Sequence, residues 1–137
     1  MQAASEKPFL RLTLSGVLAV RALHAWIAAV PALVLGPPSM SLWLRGSPFG
    51  VPFVPSVFLA FVVGGASFFA AIAVLARWSF ARQASFAAGY VVLGWLMLQM
   101  ALIGPASPLQ PFALIATISS LLLTWLLPPT TPVDVRV

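Results

Sequence analysis

Four apolar runs of about twenty residues, at 12–36, 54–76, 83–104 and 109–127, take up most of this chain. A helix rising ~1.5 Å per residue needs about 20 apolar residues to cross the hydrocarbon core of a bilayer, and each run meets that length. Three of them contain no Asp, Glu, Lys or Arg, and the first contains only Arg21. The intervening segments are too short for a second domain, so residues 1–137 are expected to form a single integral membrane domain. Only 7% of the residues are charged, against about 25% in a water-soluble domain. Such a chain cannot cover a globular surface in water. Intrinsic disorder fails too, because it requires high charge and low hydrophobicity. The expected fold class is all-α, a membrane-embedded four-helix bundle.

The breaks between runs have physical causes. Pro37 and Pro38 stop the first helix, since proline lacks an N–H and clashes with the preceding turn. Arg77 and Arg82 bracket a tight turn around Trp78, Ser79 and Phe80; Gly104, Pro105 and Pro108 separate the third and fourth runs; Pro128, Pro129 and Pro132 end the fourth. Positive charge near span ends sets orientation. With an even number of spans, Lys7, Arg11, Arg77, Arg82 and Arg136 share one face and Arg45 lies on the other. Both termini are therefore expected in the cytoplasm, with a multi-pass arrangement in a bacterial cytoplasmic membrane. The start of the chain looks like a signal peptide, but Arg21 interrupts its apolar core, so an uncleaved first helix is expected. The net charge of +5 is explained by this asymmetry and by anionic headgroups, and no nucleic-acid partner is expected.

Ionisable residues at membrane depth are functional candidates by default, and only Arg21 and His24 qualify. Three apart on one helix, they could form a cation pair lining a polar cavity that holds an anionic headgroup or substrate. For Arg21 the plainer account is favoured: the side chain leans toward the helix N-terminus and snorkels to the headgroups. His24 lies a turn deeper, where a neighbouring carbonyl or hydroxyl would satisfy it. No carboxylate lies in any run, which removes the central part of proton-coupled cation export and of intramembrane aspartyl or metal-dependent hydrolysis. With no cysteine, thiol catalysis, disulfides and thiolate metal sites are excluded. A bis-histidine haem would need His24 from two chains, and Ser15 does not stand at i,i+3 or i,i+4 from His24. No enzymatic activity, no metal and no cofactor are expected.

Small and hydroxylated residues recur at helical spacing: Thr117, Ser120 and Thr124; Ala66 and Ala70 with Gly64, Gly65 and Ala73; Ser85, Gly89 and Gly94. Such faces let helices approach closely, and packing is their expected role, with a narrow pore or lipid groove as the alternative. Gln99 and Gln110 are placed to cap carbonyls or to meet each other near the outer face. Trp78, Trp125 and Trp43 fall where an aromatic belt requires them, while Trp26 and Trp95 fall at mid-span and must pack against neighbours or lipid. The segment 37–59 is rich in proline and aromatics, including Trp43, Phe49 and Phe53, and reads as an interfacial or re-entrant element that could dock a partner or lipid.

Several short motifs carry a resemblance: Gly46-Ser47-Pro48-Phe49, Pro55, Gly64-Gly65, the arginine-bearing turn at Arg77 and Arg82, Gly94-Trp95 with Gln99, and Ser107-Pro108-Leu109-Gln110-Pro111. Over residues 37–127 the chain resembles a family of small, uncharacterised bacterial four-helix integral membrane proteins. Such proteins often carry Gly where Ser56 stands here, a departure that bears only on packing. The resemblance implies topology and no activity. It also makes 48–56 and 107–111 a joint surface at the outer face.

The functional expectation is a non-enzymatic accessory or scaffold subunit, or a lipid-contacting protein, partnered by membrane lipids and by another membrane protein or further copies of itself. The alternative is a small oligomeric transporter or channel using Arg21 and His24. The candidate ligand or partner-binding residues are Arg21, His24, Trp43, Gln99 and Gln110.

Overall fold

The computed structural model describes residues 8–35, 53–104 and 109–128. Among the described residues the fold is all-α with four helices: α1, Pro8–Leu35; α2, which runs through Phe53–Val57, Phe58–Gly64 and Gly65–Leu75; α3, Ala81–Ile103; and α4, Leu109–Leu126. Pro8 opens α1 because its fixed φ suits the first helical turn, where its missing N–H would have had no partner. This start lies one turn before the apolar run. Pro31 sits inside α1. Three helices are long and apolar enough to cross a membrane, with α4 supplying a shorter apolar segment, Gln110–Leu126.

Each helix packs against the next, and α4 returns to α1, closing a ring. Two apolar clusters fix the helix directions. Leu10, Leu14 and Leu18 of α1 meet Ala70, Ala71, Ala73 and Val74 of α2, Ala81, Ala84 and Ala88 of α3, and Leu123 and Leu127 beside the end of α4. Ala25 of α1 lies in the second cluster with Val63, Val92 and Leu96, against which Leu59, Trp95, Ala113 and Leu114 pack. The start of α1 thus lies with the end of α2, the start of α3 and the end of α4, so neighbours are antiparallel. Arg11, Arg77 and Arg82 all belong to this first end, called the basic end below.

The turn at the basic end is a six-residue helix stop. Trp78 N–H donates to Ala73 O at 3.0 Å and Arg77 N–H to Val74 O at 3.3 Å, the paired bonds of a Schellman motif. Its left-handed position is held by Arg77, at φ 57°, where glycine is usual. At the other end, Gly104 stops α3 with φ 75° and ψ −172°, a conformation open only to glycine.

Helix α2 departs from its expected regularity. Phe58–Gly64 is wound as a π-helix, and Gly65 N–H donates to Ala60 O five residues back. The indole of Trp26 reaches the same carbonyl, with Nε1–H donating to Ala60 O at 2.9 Å. Gly64 makes that approach possible, because a Cβ there would lie 2.6 Å from Trp26 Nε1. A widened turn exposes carbonyl density that a regular helix keeps within its own ladder, and the tryptophan occupies it.

Candidate functional site

Arg21 stands at the centre of the bundle and is only 8% exposed. Its Nη1–H donates to Ser120 Oγ on α4 and its Nη2–H to Ala88 O on α3 at 3.1 Å, while Nη2 approaches Ser67 Oγ on α2 at 3.5 Å. One guanidinium from α1 therefore touches all three other helices. It forms a polar layer between the two apolar clusters. The hydroxyls of this layer and its neighbours turn their own protons back onto helix carbonyls: Ser120 to Thr117 O at 2.8 Å, Thr117 to Ala113 O at 2.7 Å, Thr124 to Ser120 O at 2.6 Å. Back-bonded in this way, Ser120 keeps its lone pairs for Arg21. The chain's two carboxylate side chains, Glu6 and Asp134, lie outside the described residues. Arg21 Nε is buried with no hydrogen-bond partner.

The favoured expectation for Arg21 is thereby corrected: its side chain turns into the bundle instead of snorkelling. Residues three apart on a helix differ by about 60° in direction, and here that angle separates the two candidates. Arg21 is buried, but His24 lies on the exposed outer side of α1, so the two line no common cavity. Gln99 and Gln110 are both half-buried. Gln110 Oε1 is buried and accepts no hydrogen bond, so Gln99 does not donate to it and the expected meeting fails in that direction. Trp43, like the rest of 36–52, lies outside the described residues, and so do Ser107 and Pro108 of the other motif segment.

The small-residue faces divide. Thr117, Ser120, Thr124, Ser67, Ser85, Ala70 and Ala73 all face inward, as expected for packing. At Gly89 an added Cβ would lie 2.4 Å from Leu121 Cδ2, so the leucine side chain would have to shift to admit it. Gly65 and Gly94 differ, with nothing within 4 Å of an added Cβ. Of the mid-span tryptophans, Trp26 packs on Phe68 with ring centroids 5.4 Å apart. Trp95 stacks on Phe58 at 4.9 Å, its Nε1 buried without a partner. Trp78 joins Phe69 and Phe80 in an aromatic cluster at the basic end.

The arrangement of polar and apolar side chains decides the solvent. Ser15, Arg21, Ser67, Ser85, Thr117, Ser120 and Thr124 are buried, while Val20, Ile27, Phe61, Met97, Ile115 and Leu122 are exposed. Water would demand the reverse, whereas lipid accepts apolar side chains outside and leaves interhelical hydrogen bonds inside. This is a multi-pass membrane protein. Among its described residues no group of three or more His, Cys, Asp or Glu could hold a metal ion. No family model, curated protein or solved structure matches the chain. The resemblance drawn from short motifs therefore assigns no family.

Sequence reasoning singled out Arg21 but not its partners. Ser120 was visible as part of a hydroxyl stripe, whereas nothing in the sequence placed Ser67 beside Arg21. The usable signal was chemical: an arginine at depth in a chain without an intramembrane carboxylate must turn to hydroxyls and carbonyls, and only a few hydroxyls share its level.

Proposed function

We propose that this protein is a non-enzymatic accessory or scaffold subunit of a bacterial cytoplasmic membrane, presenting its helix faces to lipid and to another membrane protein or further copies of itself. In this reading all four helices span, and α4, at 18 residues or about 27 Å, crosses with little to spare. Both termini lie in the cytoplasm, since Arg11, Arg77 and Arg82 gather at one end of the described structure. The observation that carries the reading is the engagement of Arg21. The single charged side chain at depth is bonded to α3 and α4 and touches α2, which is the work of a structural pin. His24, which a conduction path would have to share with Arg21, lies on the outer surface.

Native mass spectrometry of tagged protein, gently extracted from its own host's membranes, tests this. A stoichiometric second polypeptide supports the accessory reading and names the partner. A homo-oligomer retaining a small molecule moves the weight to a transporter or channel, a reading favoured by one observation, the buried and unpartnered Nε of Arg21. Flux in proteoliposomes separates the two. For the scaffold, wild type and His24→Ala give equal background leakage; for the transporter, wild type conducts and Arg21→Gln does not.

A further inference from the structure

The basic end holds two arginines, each with one nitrogen that is out of water and lacks an acceptor. Arg82, in the first turn of α3, gives Nη2–H to Trp125 O at 3.3 Å and lays its guanidinium over Phe86 at 5.8 Å from the ring centroid. Those contacts fix the group in place, yet its Nε is buried and unpartnered. Arg11 of α1 repeats the pattern, with a buried and unpartnered Nη1. The two belong to one locality: Leu10 and Leu14 beside Arg11 pack in the same cluster as Ala81 and Ala84 beside Arg82, with Leu127 completing it. No acidic residue lies in the first turn of α3, and no side chain caps it. A buried donor without an acceptor is costly, more so when it carries charge, and both arginines are only half-buried, so the open parts of their guanidinium groups are left to meet an anion.

We propose that the basic end is a binding site for the headgroup of one anionic phospholipid, gripped by Arg11 of α1 and Arg82 of α3. Both arginines stand at the end of the apolar bundle, where phosphates lie while acyl chains run along the exposed faces of the helices. Guanidinium N–H groups match phosphate oxygens in charge and in direction. A lipid bound there bridges helices that lie diagonally across the ring and covers the last turn of α4. The inference rests on the membrane reading alone; the protein partner in the accessory reading does not enter it.

The test uses the full chain in nanodiscs of equimolar phosphatidylglycerol and phosphatidylcholine, released for native mass spectrometry. Wild type is expected to retain one phosphatidylglycerol in preference to phosphatidylcholine. Arg11→Gln/Arg82→Gln should lower that preference about tenfold, while Arg77→Gln, on the turn, keeps it. Unchanged melting of the double variant in phosphatidylcholine alone shows that the fold is intact; if the double variant does not assemble, Arg11→Gln alone gives the same comparison. Equal retention by wild type and variant overturns the proposal. So does an equal rise in melting temperature when inorganic phosphate is added to wild type in phosphatidylcholine, which would assign the donors to free phosphate. Retention that appears only in Glu6→Gln/Asp134→Asn also overturns it, because the donors would then belong to the chain's own carboxylates. None of these outcomes depends on whether a second polypeptide is found.

Discussion

The polar layer at Arg21 divides the bundle into two halves that are packed by different means. Toward the basic end the core is made of small residues and leucine, and Leu14, Leu18, Ala70, Ala73 and Val74 are fully buried. The helices there close on one another through Ala and Ser faces with a regular backbone. Toward the other end, Val63, Val92 and Leu96 remain 4–6% exposed. The fill is aromatic, with Trp26 on Phe68 and Phe58 on Trp95, and α2 gives up its regular winding to accommodate Trp26. Buried polar atoms without partners do not separate the halves, since Arg11 Nη1 and Arg82 Nε lie in the first and Trp95 Nε1 and Gln110 Oε1 in the second. Small side chains let helices meet without distorting them, whereas a large one at mid-span, Trp26, meets a glycine and a widened turn.

The contrast can be broken at the layer itself. Arg21→Ala should destabilise the bundle by about 3 kcal/mol, from interhelical bonds worth roughly 0.6–1.7 each plus the cavity left behind. His24→Ala, on the exposed side of the same helix, should change stability by less than about 0.5 kcal/mol. Reversible unfolding in mixed micelles followed by circular dichroism measures both, and equal effects would remove the structural pin. Within the halves, Leu14→Ala should cost about 3 kcal/mol and Leu96→Ala about 2, because the looser, aromatic half can collapse around the gap. A reversed order in the same assay would show that the exposures misplace the tighter core.

Smaller effects sharpen the account of the widened turn. Gly64→Ala drives a methyl group into the Trp26 indole and should cost about 1–2 kcal/mol. It should also shift Trp26 fluorescence, read in a variant with the other four tryptophans changed to Phe; an unshifted spectrum would mean that the Ala60 bond survives and that Gly64 is not what admits the ring. Gly94→Ala meets nothing within 4 Å and should stabilise α3 by about 0.5 kcal/mol through reduced backbone freedom in the unfolded chain. Loss of stability there would reveal a neighbour packed closely on that face.

Helix number and positions were legible in the sequence to within a few residues, because hydrophobic length and Pro, Gly and Arg breaks act locally. The stop at Gly104 and the turn at 76–80 follow from the same local chemistry, although the left-handed Arg77 had no signature. The π-helical turn was not legible. Gly64-Gly65 announces close approach, but which tryptophan arrives, and at which carbonyl, depends on how α1 is rotated against α2. The same rotation explains the error over Arg21 and His24. Both could be placed at depth from their positions in the run, but the direction each takes is set by the buried stripe running through Leu14, Leu18, Arg21 and Ala25, whose centre only the packed partners define.

The polar layer also has an order in time. Arg21 is made before the groups that hold it, which stand at residues 67, 88 and 120. A ribosome feeding this chain into the membrane delivers the charge long before Ser120, so α1 enters lipid with a guanidinium that cannot be fully engaged until α4 arrives. Arg21 therefore has its full set of partners only once α4 closes the ring, and a polypeptide truncated before Ser120 would lack that acceptor.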